Sequence, residues 1–164
     1  MFGRGGEECQ HLAAAGIPFR IVPGITAGVG GLASAGIPGP HRETNHAVTY
    51  LTGHDATVRM PANVDWKAVA RASPVIVMYM AVKNLGEIAA ALMAGGRAAA
   101  EPVTIISSAS LPAQEVAETC LGEAAAHVAR PPPPTPALVV VGHAADWRAL
   151  LDWYRPALRE NPIG

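Results

Sequence analysis

Residues 74–80 read Pro-Val-Ile-Val-Met-Tyr-Met, seven positions without a charged side chain. A run this short and this apolar, rich in β-branched residues, predicts a strand buried on both faces. Such a strand needs neighbours on either side and cover above and below, which narrows the architecture at once. Two further runs repeat the signal, Val103-Thr104-Ile105-Ile106-Ser107 and Ala137-Leu138-Val139-Val140-Val141. Ala47–Thr52 and Glu115–Thr119 read as additional strands. Between these lie helical patterns over Asp65–Arg71 (Asp65 near the cap), Leu85–Met93 closed by Gly95-Gly96, Gly122–Ala129, and Asp146 to about Tyr154. Pro131–Pro134 is a rigid spacer. Strand alternating with helix predicts an α/β fold around a central sheet.

A different rhythm precedes this. Glu7–Ala15 is helical and Gly16 closes it as a helix-terminal glycine would. Phe19-Arg20-Ile21-Val22 reads as a short strand, and Pro23-Gly24 turns the chain into a small-residue helix over Thr26–Ala35 with Thr26 as its N-cap. Gly36-Ile37-Pro38-Gly39-Pro40 is a stiff linker, because proline blocks helix and glycine punctuates it. The expected organisation is therefore residues 1–43 as a domain remnant plus linker, 44–159 as an α/β domain, and 160–164 as a tail. One strand cannot satisfy its own hydrogen-bond ladder. Phe19–Val22 is accordingly expected to pair with chain upstream, and the sequence reads as cut.

The chain has 164 residues, half of them hydrophobic, with formal net charge -1. That suffices for one domain with a real core. Near-neutral charge gives no electrostatic reason to expect nucleic acid or an anionic membrane as partner. No run approaches the ~20 apolar residues of a membrane span, and Met1–Glu8 lacks the apolar stretch of a secretory signal. A cytoplasmic protein is expected. Cys9 and Cys120 read as buried thiols of a reducing compartment.

Three motifs invite a chemical reading. Gly28-Val29-Gly30-Gly31-Leu32-Ala33 fits the G-x-G-x-x-A pattern of dinucleotide binding. Pro23-Gly24 separates it from the strand, however, and no acidic residue ends a second strand beyond it, so close helix packing on small residues is favoured. His41, His46 and His54 match no metal-ligand spacing, and no metal is expected. Met78-Tyr79-Met80 ends a strand before small Ala81, where open α/β sheets place ligands. Alternation would put Met78 and Met80 on one face, with Tyr79 on the other. No phosphate-binding loop, nucleophile elbow or zinc motif occurs.

Taken together, Phe2-Gly3-Arg4-Gly5-Gly6-Glu7-Glu8, Val22-Pro23-Gly24-Ile25-Thr26-Ala27, Ala35-Gly36-Ile37-Pro38 with His41-Arg42, Leu51-Thr52-Gly53-His54, Val77-Met78-Tyr79-Met80 and Pro136–Gly142 resemble the uroporphyrinogen-III C-methyltransferases of the cobalamin and siroheme pathways. The segments occur in that family's order and spacing. The resemblance implies a two-domain tetrapyrrole methyltransferase of which this chain supplies the C-terminal α/β domain and a remnant of the N-terminal one. It implies a homodimer, S-adenosylmethionine as methyl donor, S-adenosylhomocysteine as product, and methylation of uroporphyrinogen III at carbons 2 and 7 to precorrin-2. The nearest alternatives are a methyltransferase acting on a later precorrin and a non-catalytic dimerisation or cofactor-binding module.

Carried over position by position, the resemblance makes Thr26 and Ala27 the cofactor-contacting pair after the Pro-Gly turn. Met80 is the methionine beside the adenosyl group, Ala109 a small residue against the cofactor, and Ala137 and Leu138 part of the adenine side. Arg42, next to His41, is the candidate for a substrate carboxylate, since guanidinium groups suit bidentate carboxylate binding. The family's glycine-rich first strand and Gly-Asp-Pro cofactor loop have no counterpart here, and Pro40 replaces the threonine usual before His-Arg. No catalytic acid or base can be named, so weak cofactor binding without turnover is expected of this chain alone.

Overall fold

A computed structural model describes residues 1–129 and 131–154. Helices α1 (Gly5–Ala14) and α2 (Ala27–Ser34) come first, followed by strand β1 (Thr49–Thr52), helix α3 (Trp66–Ala72) and strand β2 (Ile76–Tyr79). Helix α4 (Leu85–Ala94), strands β3 (Pro102–Ser107) and β4 (Glu115–Cys120), helix α5 (Ala124–Ala129), strand β5 (Ala137–Val141) and helix α6 (Arg148–Leu151) complete the order. The strands form one sheet ordered β1-β2-β5-β3-β4. β1 and β2 are parallel, with Thr49 opposite Ile76 and Thr52 opposite Tyr79. Every other neighbouring pair is antiparallel.

The three long apolar runs occupy the middle of the sheet, as residues that must be covered on both faces should. Their alternation sorts two cores. Ile76, Met78, Ile105, Val139 and Val141 face α3, α4 and α5, meeting Trp66, Leu85, Ile88 and Leu92. Val75, Val77, Ile106, Leu138 and Val140 face the other way, against Leu32 and Ala35 of the α2 end, Ile37 and Ala144. The small-residue helix is thus one lid of the sheet.

Caps follow the expected chemistry in part. Asp65 caps α3 by accepting from the Ala68 amide at 2.9 Å, and Gly16 takes φ +67° after α1. Arg97, just past α4, reaches back to the carbonyls of Ala70 and Ser73 at the end of α3 and pairs with Glu101. Both side chains of that pair are almost fully buried, so α3 and α4 are joined by a charged clamp as well as by their apolar faces.

Four expectations are corrected. Phe19–Val22 is not a strand: it runs without regular structure, and Val22 and Ile25 stand 79% and 87% exposed. Among the described residues no strand lies beside it, and extended backbone without a ladder partner is not a sheet. The helix expected over Asp146–Tyr154 is instead a 3-10 segment, His143–Trp147, followed by the single turn of α6. Cys9 and Cys120 are free but only partly buried. Met80 does not share a face with Met78, because β2 stops at Tyr79 and Met80 turns to φ +54°. The expected tail, 160–164, lies outside the described residues.

Candidate functional site

The C-terminal end of β2, the end of β3 and the start of β5 meet above the N-terminus of α2, and a cavity of about 520 Å³ opens there. Its size falls in the range of small-molecule sites, roughly 300–1,000 Å³. Ala27, Met80, Ala109, Ala137 and Leu138 all line it. These five come from four separate stretches of sequence, and folding brings them to one cavity.

Thr26 touches the cavity through an intermediary. It occupies the N-cap position of α2 but makes no capping bond with its side chain. Its hydroxyl instead lies 2.6 Å from the Tyr79 hydroxyl. The Gly28 amide donates to the same Tyr79 oxygen, also at 2.6 Å. A tyrosine from β2 therefore satisfies the orphan amide that Thr26 was expected to serve. Gly28 is required for this approach, since a Cβ there would sit 2.3 Å from the Tyr79 hydroxyl and 2.8 Å from the Tyr50 ring. Gly31 is held by Leu138 and Ala109 in the same way. The glycine motif of α2 is thus a packing surface that lets the helix end approach the sheet, as its spacing suggested. Burial, with Tyr79 close by, raises the pKa of Tyr50 above the ordinary tyrosine value.

The sequence gives no sign of the role of Tyr79, because its neighbours are apolar and its hydroxyl bonds only to distant chain. Tyr79→Phe should cost about 1–2 kcal/mol of stability, because it takes the acceptor away from the Gly28 amide. Urea unfolding of the two proteins side by side measures it; an unchanged midpoint would show that water replaces the hydroxyl.

The opposite wall is a strained turn. Ser108 and Ser110 hold φ +48° and +66°, and Met80 across from them +54°. Left-handed backbone at non-glycine residues costs on the order of 1 kcal/mol or more each and needs surroundings that enforce it. Here they do. The Ser108 amide donates to the Pro136 carbonyl at 2.9 Å, and the Tyr154 hydroxyl donates to the Ser110 carbonyl at 2.9 Å. Gln114, only 2% exposed, accepts from the Ser110 amide and from the Ser34 hydroxyl, and donates to the Ser34 carbonyl. One buried amide thus ties the turn carrying Ala109 to helix α2.

Arg42 is not brought to this cavity. It is exposed in the turn between His41 and Asn45, beside His41, which stacks on Trp147 at 4.0 Å between ring centroids. The basic side chains that do reach the cavity are His54 and Lys83. Sequence alone does not place either here: His54 ends the Leu51–His54 segment and Lys83 sits in ordinary loop sequence, and neither position records what its side chain faces. Among the described residues no three His, Cys, Asp or Glu side chains gather as a metal site would require, and no helix is long and apolar enough to cross a membrane.

Residues 1–125 match the family described as Tetrapyrrole (Corrin/Porphyrin) Methylases. The chain belongs to this family. Among its relatives, a uroporphyrinogen-III C-methyltransferase of Sinorhizobium sp is 56% identical over 153 residues, covering 93% of this chain and 55% of that protein. Siroheme synthase 1 of Yersinia enterocolitica is 43% identical over 157 residues, covering 94% of this chain and 32% of its own length. The chain therefore spans about half, or less, of these relatives. A solved uroporphyrin-III C-methyl transferase of Thermus thermophilus, complexed with S-adenyl homocysteine, superposes with a TM-score of 0.75 at 34% identity, over 89% of this chain and 62% of that one. The mixed α/β fold expected from the sequence is the fold of these tetrapyrrole methylases.

Proposed function

We propose that the chain forms the C-terminal part of a uroporphyrinogen-III C-methyltransferase, with S-adenosylmethionine as methyl donor in the cavity between α2, Met80 and the Ser108–Ser110 turn. The convergence of Ala27, Met80, Ala109, Ala137 and Leu138 on one cavity carries this reading, with Thr26 joined to it through Tyr79. The Thermus relative's complex with adenosyl homocysteine supports the same assignment. Methyl groups would go to carbons 2 and 7, giving precorrin-2 and adenosylhomocysteine.

The cavity suits such a ligand. Small side chains at Ala109 and Ala137 leave room for a flat ring, and Met80 and Leu138 supply an apolar lining. When bound, the donor supplies a sulfonium methyl group open to in-line displacement. The protein's part is then geometric: to hold donor and acceptor carbon in near-attack alignment and to keep water out. The left-handed turn at Ser108, held by the Pro136 carbonyl, fixes one wall before any ligand arrives, so less ordering cost falls on binding.

The remaining assignments belong to the same reading. Residues 1–43 are proposed as part of an N-terminal domain with its linker, their α2 docked on the sheet of the domain that runs from 44 to 159. Arg42 is retained as a candidate for a substrate carboxylate only in a form where other chain folds over its turn. A homodimer is proposed, supported by exposed Ile21, Val22, Leu150 and Trp153, and a cytoplasmic location accompanies the biosynthetic role. Sedimentation at micromolar concentration tests the dimer.

Calorimetric titration with S-adenosylhomocysteine tests the cavity. Weak saturable binding is expected, with Kd below about 1 mM, and Gly31→Val should weaken it by pushing Leu138 and Ala109, which a Cβ there would meet at 2.7 and 3.1 Å, out of place. No heat at millimolar ligand would refute the assignment. Turnover is expected only after joining the chain to the portion of the Sinorhizobium relative outside the match; uroporphyrinogen III should then gain the mass of two methyl groups.

A further inference from the structure

The cavity's walls are mostly apolar, and in such sites a few polar groups decide which way a ligand lies. Besides the hydroxyls of Tyr79, Ser108 and Thr135, two basic side chains, His54 and Lys83, reach the cavity from different segments. His54 follows β1, whereas Lys83 lies in the 3-10 turn Val82–Asn84 after β2. Those two segments are clamped together. The Gly53 amide donates to the Tyr79 carbonyl at 2.7 Å, and the buried Asn84 side-chain amide donates to the Gly53 carbonyl at 2.9 Å and the Val58 carbonyl at 3.3 Å. The residue before His54 and the residue after Lys83 are thus directly bonded to each other.

His54 is fixed further. The Thr52 hydroxyl donates to its carbonyl at 3.0 Å, and its Nδ1 lies 2.8 Å from the Asp55 carbonyl. A carbonyl only accepts, so Nδ1 carries the proton, which in the neutral form of a histidine leaves Nε2 as the acceptor. The Asp55 carboxylate is engaged within its own loop, by the Thr57 hydroxyl, the Thr57 amide and the Arg59 amide. Those bonds, the Thr57 hydroxyl first, hold its pKa below the usual value. Among the described residues Lys83 makes no ion pair.

We infer that Lys83 and His54 form a two-point anchor at the solvent edge of the cavity, Lys83 taking a ligand carboxylate and His54 Nε2 accepting from a neighbouring ligand N–H. The anchor rests on the cavity being the methyl-transfer site. Two ligands there offer that chemistry: a tetrapyrrole, with peripheral carboxylates and pyrrole N–H groups, and the amino-acid end of the methyl donor. Lys83 thereby does the task expected of Arg42, or orients the donor.

Calorimetric titrations of the wild-type chain, Lys83→Met, Lys83→Arg, His54→Leu and the control Lys67→Met, with uroporphyrin III and with S-adenosylhomocysteine as separate probes, test it. A charge-assisted contact predicts a loss of about tenfold in affinity for one probe in Lys83→Met. Lys83→Arg should recover most of it, His54→Leu should lose about threefold, and Lys67→Met should change nothing. Loss confined to uroporphyrin III identifies the tetrapyrrole carboxylate as the anchored group; loss confined to adenosylhomocysteine identifies the donor's. Unchanged affinity of the Lys83 and His54 variants for both probes overturns the anchor and leaves the cavity assignment standing. Failure of the wild-type chain to bind either probe overturns both. Thermal midpoints of the variants, expected within a few degrees of wild type, separate lost contacts from lost folding.

Discussion

Arg97→Met is expected to lower the free energy of unfolding by about 3–5 kcal/mol, the range for removing one partner of a buried ion pair. Glu101 would lose its cation while its side chain stays almost fully buried. The carbonyls of Ala70 and Ser73 would lose their guanidinium donors as well. Methionine keeps the apolar stem of arginine but not the guanidinium head, so the loss reads out charge, hydrogen bonding and the space the head filled. The double variant Arg97→Met/Glu101→Leu should recover much of the difference, because an apolar pair carries no desolvation penalty. Denaturant unfolding of wild type and both variants checks this; a single variant within about 1 kcal/mol of wild type, on the scale of an exposed pair, would mean that solvent reaches the clamp.

Gly53→Ala is expected to be nearly as costly and to act directly on the candidate site. An added Cβ would lie 2.3 Å from the Ala81 Cα and 2.9 Å from the Ala81 nitrogen. These are backbone atoms at the end of β2 and cannot rotate away as a flexible side-chain tip could. Relief requires β1 and the turn after β2 to separate, which breaks the Gly53–Tyr79 backbone bond and the Asn84 bridge. Overpacking of this kind costs about 1–3 kcal/mol, occasionally more. The separation also displaces His54 relative to Met80 and Lys83, so adenosylhomocysteine affinity should fall at least about tenfold while the circular dichroism of the helices is kept. Retained affinity with reduced stability would place the clamp outside the binding geometry.

Much of the fold is legible in the sequence because burial leaves a local record. The alternation within Val75–Met78, Val103–Ile106 and Leu138–Val141 by itself assigns side chains to two faces, and both cores follow it. Helices α3 and α4 are marked by Asp65 and by Gly95-Gly96. Where expectation and fold part, the missing information is the neighbour. Phe19–Val22 has the composition of a strand, but a strand exists only against a partner. Met80 continues an apolar run, yet the chain leaves β2 there with φ +54°, a departure that hydrophobicity does not record.

The candidate site shows the same division. Ala27, Met80, Ala137 and Leu138 can be picked out from motifs, since each lies in a segment whose order and spacing resemble a known family, and Ala109 from its position in that family's pattern. Tyr79 and His54 lie in such segments too, but their roles, like those of Gln114 and Lys83, depend on contacts with chain far away in sequence. Tyr79 meets Thr26 and Gly28, and Gln114 meets Ser34. Arg42 is the reverse case, a residue of suitable chemistry that the fold leaves on an exposed turn.

By itself the sequence determined which stretches must be buried on two faces, where most helices begin and end, and the family to which their order belongs. These follow from periodicity, capping and glycine placement, all properties of neighbours within a few residues. The tertiary structure decided which strands pair and in what direction, which hydroxyl serves the orphan amide of α2, and which cation stands at the cavity. Those depend on separations of a few ångströms between residues dozens of positions apart, which local propensity does not encode.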